Sequence, residues 1–356
     1  MRKQKWMVFL LLPPLFLTGC WDKKDPEDRT FIISLGVDDS PAGYRVTFAP
    51  ANIETGEART YTAESKTLAG AVAQMDTQTS RMTDLGQLKT IILNRELLEE
   101  AEKLDALLQE LARSQTVSEK VMLLATEEPA AKCIEAVLEE DGKTGLFLWD
   151  FYKNTAGEVA VTKGMDLDTF LTEWTEQDGN AVFPRISLQD DKLKLGGGIA
   201  VSGEKVYPLS DREERGYLFL LGEAEGALLE GEYLGETLPL SIGRSAAEYG
   251  FTLQEENILC TVTLPLEGTL QSGKGAFHSA EERDKIETLF EDIIKEEIRH
   301  TMRIAEREKK DLFGILPRLY QAEPELSKGI SREALWQSLV FEIQPQLELK
   351  DMGRKR

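Results

Sequence analysis

Apolar positions in the first half of the chain switch repeatedly between two periods. Phe31 to Val37 and Tyr44 to Ala49 read as strands, and the six residues Asp38 to Gly43 between them are rich in turn formers, so a β-hairpin is predicted. Leu68 to Met82 follows as a helix and Leu88 to Leu93 as an apolar strand. Glu96 to Leu111 predicts a helix capped by Asn94, with Leu97, Leu98, Ala101, Leu104, Leu108 and Leu111 on one face. Val121 to Ala125 predicts another strand, and Pro129 suits the first turn of a helix running to Leu138. Glycines and polar residues loosen the pattern from Asp141 to Gly164. A short helix then resumes from Asp166 to Glu173, ending near Trp174.

From Ala181 the character changes. Val182 to Leu188, Leu193 to Val201, Ala227 to Tyr233, Leu238 to Ile242 and Asn257 to Leu266 all read as strands. A long helix is predicted from about Ala280, with Ile286, Leu289, Phe290, Ile293, Thr301 and Ile304 or Ala305 tracing one stripe that should lie against the sheet. Gly314 and Pro317 interrupt it. A helical segment around Leu335 and Trp336 precedes a last strand in which Phe341, Ile343, Leu347 and Leu349 alternate. The tail Arg354-Lys355-Arg356 is expected to be solvated. The fold class that results is mixed α/β and α+β. An N-terminal α/β domain over residues 31–190 precedes a strand-rich C-terminal α+β domain over 191–352 with a long packed helix.

The extreme N-terminus belongs to neither domain. Arg2, Lys3 and Lys5 precede an apolar run from Trp6 to Leu17, closed by Leu17-Thr18-Gly19-Cys20. This is the layout that an export machinery reads. As a helix the run would span roughly 18 Å against a hydrocarbon core of about 30 Å, and Pro13-Pro14 breaks it, so it is too short to span. The Leu-Thr-Gly-Cys quartet resembles the lipobox of bacterial lipoproteins, which implies a signal peptide over 1–19 and a covalent diacylglyceryl and N-acyl lipid on Cys20. Residues 20–30 would then be a lipidated tether. An ordinary cleaved signal peptide with a cysteine beside the cut is the alternative.

Charge narrows the partners. The chain carries a net charge of −21, and loss of residues 1–19, with their three basic side chains and no acid, takes it to −24. Nucleic acid and anionic lipid headgroups are both repelled by such a balance, so membrane attachment should rest on acyl chains. Cys133 and Cys260 lack metal-ligand spacing and are expected as two buried apolar residues, with a single bridge between them as the alternative.

Catalytic signals are absent from the sequence. His278 and His300 form no His-Glu-x-x-His pair, and there is no G-x-S-x-G elbow. Asp141-Gly142-Lys143-Thr144 looks like the end of a phosphate loop, but Val137 stands where its first glycine is required. Gly196-Gly197-Gly198 reads as backbone in a bent or bulged strand pair, with close approach to a ligand as the rival. The pairs Asp190-Asp191 and Glu281-Glu282 would act as acid and base only if a fold gathered them in a cleft. Glu127-Glu128 and Glu213-Glu214 are expected on solvated faces. No cofactor or metal site is predicted.

Several stretches together resemble a known family. Leu17-Thr18-Gly19-Cys20-Trp21-Asp22, Leu35-Gly36-Val37-Asp38, Tyr44-Arg45-Val46-Thr47, Gln87 to Ile92, Lys310-Asp311-Leu312-Phe313-Gly314 and Trp336 follow the order and spacing of the Ger(x)C type, the C-subunit lipoproteins of spore germinant receptors in endospore-forming bacteria. The chain departs from that pattern at Asp25-Pro26 and at Glu323 to Leu326. The resemblance implies a non-enzymatic, mixed α/β subunit lipidated at Cys20, on the outer face of the inner spore membrane. It would serve nutrient-triggered germination with integral membrane A- and B-type subunits. A lipid-anchored extracytoplasmic solute-binding protein is the alternative, and it requires two lobes with a polar cleft between them. An extracytoplasmic hydrolase requires a deep acidic cleft.

Overall fold

The computed structural model describes residues 28–51, 60–140, 146–154, 162–190, 192–271 and 279–350. Cys20 and the rest of the N-terminal segment, the Asp141 to Thr144 motif, Asp191, His278 and the basic tail lie outside the described residues.

The first sheet has strand order β3-β2-β1-β5-β6-β7-β8-β9, with β4 beside the start of β1. The predicted hairpin is β1 (Arg29–Ser40) with β2 (Gly43–Pro50), and its ladder continues through Asp38–Arg45 and Asp39–Tyr44, so only Pro41 and Ala42 turn. Gly43 closes that turn at φ 122, where a Cβ would sit 2.6 Å from the Lys66 Cα at the end of β3 (Tyr61–Ser65). Helix α1 covers Leu68–Met75 and stops short of Met82. The reason is local. Asp76 and the polar run after it offer the backbone side-chain partners, and the Asp76 carboxylate accepts Thr83 N–H at 2.7 Å. The chain turns back there, and Met82–Asp84 pairs in parallel with β1 as β4.

Strands β5 (Thr90–Asn94) and β6 (Met122–Thr126) lie parallel to β1 in the middle of the sheet and are buried throughout. The predicted helix after Asn94 divides at Glu99 and Glu100 into α2 (Arg95–Leu98) and α3 (Ala101–Arg113). Asn94 caps the first by accepting Leu97 N–H at 3.1 Å. Period-two alternation sends Ile91, Leu93, Leu123 and Ala125 to one face, where they join Leu104, Leu108 and Leu111 of α3 and Phe170 of α6 (Leu167–Glu176). Ile92 and Leu124 point to the other face, against Cys133, Ile134 and Val137 of α4 (Ala130–Glu140) and Leu148 of α5 (Phe147–Asn154).

A residue far away in sequence caps α4. The buried Asp38 carboxylate accepts Ala130 N–H at 2.7 Å and Ala131 N–H at 3.2 Å, while the missing side chain of Gly36 lets the Ala130 carbonyl carbon approach to 3.0 Å of where a Cβ would stand. Strands β7 (Asn180–Gln189), β8 (Lys192–Ser202) and β9 (Lys205–Pro208) extend the sheet as an antiparallel meander, so the hairpin β7–β8 straddles position 190, and the first sheet ends at Pro208.

The second sheet comprises β10 (Leu228–Tyr233), β11 (Glu236–Ser245), β12 (Glu248–Gln254), β13 (Asn257–Leu270) and β14 (Leu339–Leu349), in the order β10-β11-β13-β12, with β14 parallel to β13. Inward Ile258, Cys260, Val262, Leu264 and Leu266 share one core with the long helix α8 (Ala280–Glu308). Of the expected stripe of α8, Ile286, Phe290, Thr301, Ile304 and Ala305 are buried, joined by Ile294, Ile298 and Met302, while Leu289 and Ile293 are only half-buried. Glu291 and Glu287 of α8 accept Leu347 N–H and Leu349 N–H at 3.0 and 2.9 Å, capping part of the outer edge of β14.

The stretch Lys310 to Gly314 has a structural task. The buried Asp311 carboxylate accepts Phe313 N–H (3.2 Å), Ile315 N–H (3.0 Å) and Leu316 N–H (2.6 Å) at the start of α9 (Ile315–Ala322), while Gly314 takes φ 73 and Leu312 and Phe313 enter the second core. Asp311→Ala should therefore lower stability by about 2 kcal/mol, measurable as a reduced urea midpoint at unchanged slope. Cys133 and Cys260 are both buried free thiols, in different cores, and burial pushes their pKa values up to about 11 and about 12. The chain thus has the mixed α/β and α+β architecture read from its sequence, with a sheet-rich second half and a long packed helix.

Candidate functional site

The two sheets meet along a polar seam built around helix α7 (Asp211–Leu221), an element that the strand-rich reading of this region passed over. A signal for it was present: Ser210 and Glu213 form a capping box ahead of the apolar run Tyr217 to Leu221. One face of α7 packs on α8. Gly216 is the point of closest approach, where a Cβ would lie 2.2 Å from Thr301 Oγ1 and 2.6 Å from the Glu297 carbonyl oxygen. Thr301 donates to the Glu213 carbonyl at 2.8 Å, and Arg215 forks onto Glu297 beside it.

The other face of α7 carries Glu214 into the first domain. The expectation of a solvated Glu213-Glu214 face fails here, because Glu214 is 1 % exposed. Its Oε1 accepts Lys163 N–H at 3.4 Å and its Oε2 has no partner. Burial pushes the carboxyl up to about 8, against the opposing pull of the Lys163 N–H and of the Arg185 and Lys163 charges. The glycine run explains how the acid fits. A Cβ on Gly198 would stand 2.3 Å from Glu214 Oε2, and one on Gly197 would stand 2.6 Å from Arg185 Nη2. The bulge expected at Gly196 to Gly198 is present opposite Arg185, as a register shift between Pro184 and Ile186. Its glycines clear space for two charged side chains.

Lys163, itself buried, pairs through Nζ with Glu173 of α6. Arg332, on α10 (Arg332–Gln337), donates to the Glu176 carbonyl at 2.8 Å, and Lys205 reaches Glu308 at 2.6 Å, so both ends of the seam are laced across the domains. Two cavities of about 270 and 250 Å³ open along it. A larger groove of about 1200 Å³ lies wholly within the first domain, between α1, α3 and the β4 segment, and Glu110 in its wall accepts Leu68 N–H and Ala69 N–H at 2.8 and 2.7 Å.

The remaining candidates are not gathered into one site. Asp190 is exposed at φ 51, and Glu281 and Glu282 sit in the first turn of α8. His300 stands 3.6 Å from Glu213 on a partly open helix face. Glu127 lies between Arg95 and Arg185 at 3.6 Å from each, while Glu128 accepts Leu188 N–H at 3.3 Å. No cluster of three metal-ligating side chains occurs among the described residues, and no helix among them is long and apolar enough to cross a membrane.

A helix-flanked sheet with a parallel centre, coupled through a buried polar seam to a second sheet under one long helix, defines a two-part mixed α/β and α+β protein. The chain belongs to the spore germination protein family: residues 22–188 match the spore germination protein N-terminal domain, and residues 197–353 match the spore germination B3/GerAC-like C-terminal domain. It is 22 % identical to spore germination protein KC of Bacillus subtilis (strain 168) over 367 residues, covering 91 % of this chain and 89 % of that protein. It is 23 % identical to spore germination protein GerQC of Bacillus cereus over 198 residues, a match spanning 54 % of each chain. Its fold is similar to the crystal structure of the GerBC protein, with a TM-score of 0.58 at 16 % identity over 88 % of this chain and 96 % of the other. The Ger(x)C family named from short stretches of sequence is thereby established, and a role in germination holds at the level of the family.

Proposed function

We propose that this chain is a membrane-tethered, non-enzymatic lipoprotein subunit of a spore germinant receptor. It would act in nutrient-triggered germination by assembling with integral membrane A- and B-type subunits at the outer face of the inner spore membrane. The observation that carries the reading is the pair of family matches, which together run from residue 22 to residue 353 and begin two residues after Cys20. Leu17-Thr18-Gly19-Cys20 stands immediately upstream, where the lipid would be attached.

The physical role of the lipid follows from transfer energies. Each buried methylene is worth about 0.8 kcal/mol, and a chain carrying two or more acyl groups stays at the bilayer where one alone would exchange. Confinement beside the membrane makes the encounter with embedded partners effectively intramolecular, so weak protein contacts suffice. A body as acidic as this one gains little from headgroup charge, and the acyl chains supply the attachment.

The test is Cys20→Ala in spores. The expected result is loss of the protein from the membrane fraction and a marked fall in nutrient-triggered germination, with the circular dichroism spectrum and melting curve of the domains unchanged. Full germination from the unlipidated variant would overturn the reading. Crosslinking of the native protein in its membrane should recover two integral membrane proteins.

A further inference from the structure

The edge of a sheet is a template for another strand, and this chain protects its edges in several ways. Along β3 the side chains of Gln74 and Gln78 donate to the Glu64 and Thr62 carbonyls at 2.7 and 3.0 Å. Strand β9 is four residues long and ends in Pro208. On β10 the outward positions carry exposed Glu230 and Glu232. On β12 the inward Phe251 is buried, while Tyr249 donates to the Leu220 carbonyl at 2.7 Å and lies under Arg318 of α9.

The outer edge of β14 is protected at one end only. Lys350 N–H donates to the Gly268 carbonyl and the Ser338 carbonyl accepts Ile258 N–H, each at 2.8 Å. Even-numbered positions of β14 therefore face β13, and odd-numbered ones face away. Of the outward donors, those of Leu347 and Leu349 are taken by α8, and Pro345 has none. The outward N–H and C=O groups of Phe341 and Ile343 have no partner among the described residues. The side chains of Leu339, Phe341 and Ile343 turn toward the second core but stay half-buried at its margin. A strand added there would pair these backbone groups and cover that apolar margin together, a combination that no other edge offers.

We propose that the open half of β14, Leu339 to Gln344, takes an extended segment of another protein as an additional strand. Its backbone would pair with Phe341 and Ile343, its apolar side chains would cover the core margin, and a Lys or Arg on its opposite face would lie beside Glu342. Pro345 and the carboxylates of α8 end the ladder, so the segment is short. Charge selects the occupant. A second copy, paired about a two-fold axis, would set Glu342 against its own counterpart and join two chains of net charge −21, whereas a basic segment meets the exposed Glu342 with opposite sign. The inference is independent of lipidation at Cys20.

Fluorescence anisotropy on the full chain in detergent tests it, with the labelled peptide Thr-Val-Lys-Val-Lys-Val-Thr as the probe. The comparators are the same peptide with glutamate for lysine and the same peptide N-methylated at every residue. The probe should bind saturably at one site per chain, the glutamate form about tenfold more weakly, and the methylated form not at all. Ile343→Pro removes an outward donor and leaves the ladder to β13 intact, and Glu342→Lys reverses the exposed charge. Each should weaken the probe about tenfold, with a cooperative thermal melt verifying the fold. If one variant fails to fold, the other decides. Proline at Glu230 or at Leu253, outward positions of β10 and β12, should leave the affinity unchanged. Absence of saturable binding overturns the proposal, as does equal binding of the methylated peptide or an affinity that a folded Ile343→Pro or Glu342→Lys chain retains. A loss caused instead by proline at Glu230 or Leu253 would assign the peptide to another edge and overturn it too.

Discussion

Gly216→Ala is expected to destabilise the protein by about 3 kcal/mol, although alanine is the better helix former by about 1 kcal/mol at an unconstrained site. The sign reverses because α7 and α8 touch backbone to backbone at this residue. An added methyl would meet Thr301 Oγ1 at 2.2 Å and the Glu297 carbonyl oxygen at 2.6 Å, and neither can yield cheaply. Thr301 is held by its bonds to the carbonyls of Glu213 and Glu297, and the Glu297 oxygen is part of the α8 backbone. The helices must part, and the Arg215 to Glu297 fork is strained with them. Urea unfolding should show a large drop in midpoint at little changed slope. Gly250→Ala is the control, because a Cβ there meets nothing within 4 Å, and its stability should stay within about 0.5 kcal/mol of the parent. Removing the hydroxyl as well, with Thr301→Ala, should recover only part of the loss, since the backbone contact remains. Equal effects at the two glycines would show that α7 does not dock on α8 as described.

Stability should also fall as pH rises from about 5 to about 8, and Glu214 should be responsible. In the unfolded chain this carboxyl titrates near 4.5, while in the folded chain burial raises it to about 8. Between those values the folded state holds a proton that the unfolded state has released. Each pH unit in the window therefore removes about 1.4 kcal/mol of stability, with the contribution complete below the lower value and exhausted above the upper one. Glu214→Gln keeps the shape and removes the titration. Its stability profile should be flatter than the parent's across the window and should lie above it at pH 8.5, as measured by urea denaturation at a series of pH values. Parallel profiles would mean that Glu214 is solvated after all. Gly198→Ala should disturb the same socket by driving the carboxylate from its place, because the new methyl would stand 2.3 Å from Oε2.

The two halves of the seam were unequally legible. Three adjacent glycines pointed correctly to a bulged strand pair, since runs of glycine in a strand mark bends whatever lies beyond them. What the glycines make room for was not legible, because Arg185 comes from the neighbouring strand and Glu214 from a helix that packs across the strand. Glu213 and Glu214 looked alike in sequence, yet one closes a capping box at the surface and the other is buried. Helix α1 ended before Met82 for a local reason: the six residues after Met75 are all polar, and the Asp76 side chain takes the Thr83 N–H.

Local periodicity determined by itself many of the strands and helices of this protein, though not α7 or the end of α1, together with which half is rich in sheet and that one long helix covers the second sheet, because alternation of two or of 3.6 residues is a property of neighbours along the chain. The order of its short stretches also determined the family. Only the tertiary structure decided which polar side chains are buried and what they do there. Asp38 caps a helix that begins at Ala130, Glu287 and Glu291 guard the edge of β14, and Glu214 and Gln177 line a seam between domains. Burial of a polar group is tolerable only when partners converge on it, and those partners come from elements tens of residues away that no local pattern encodes.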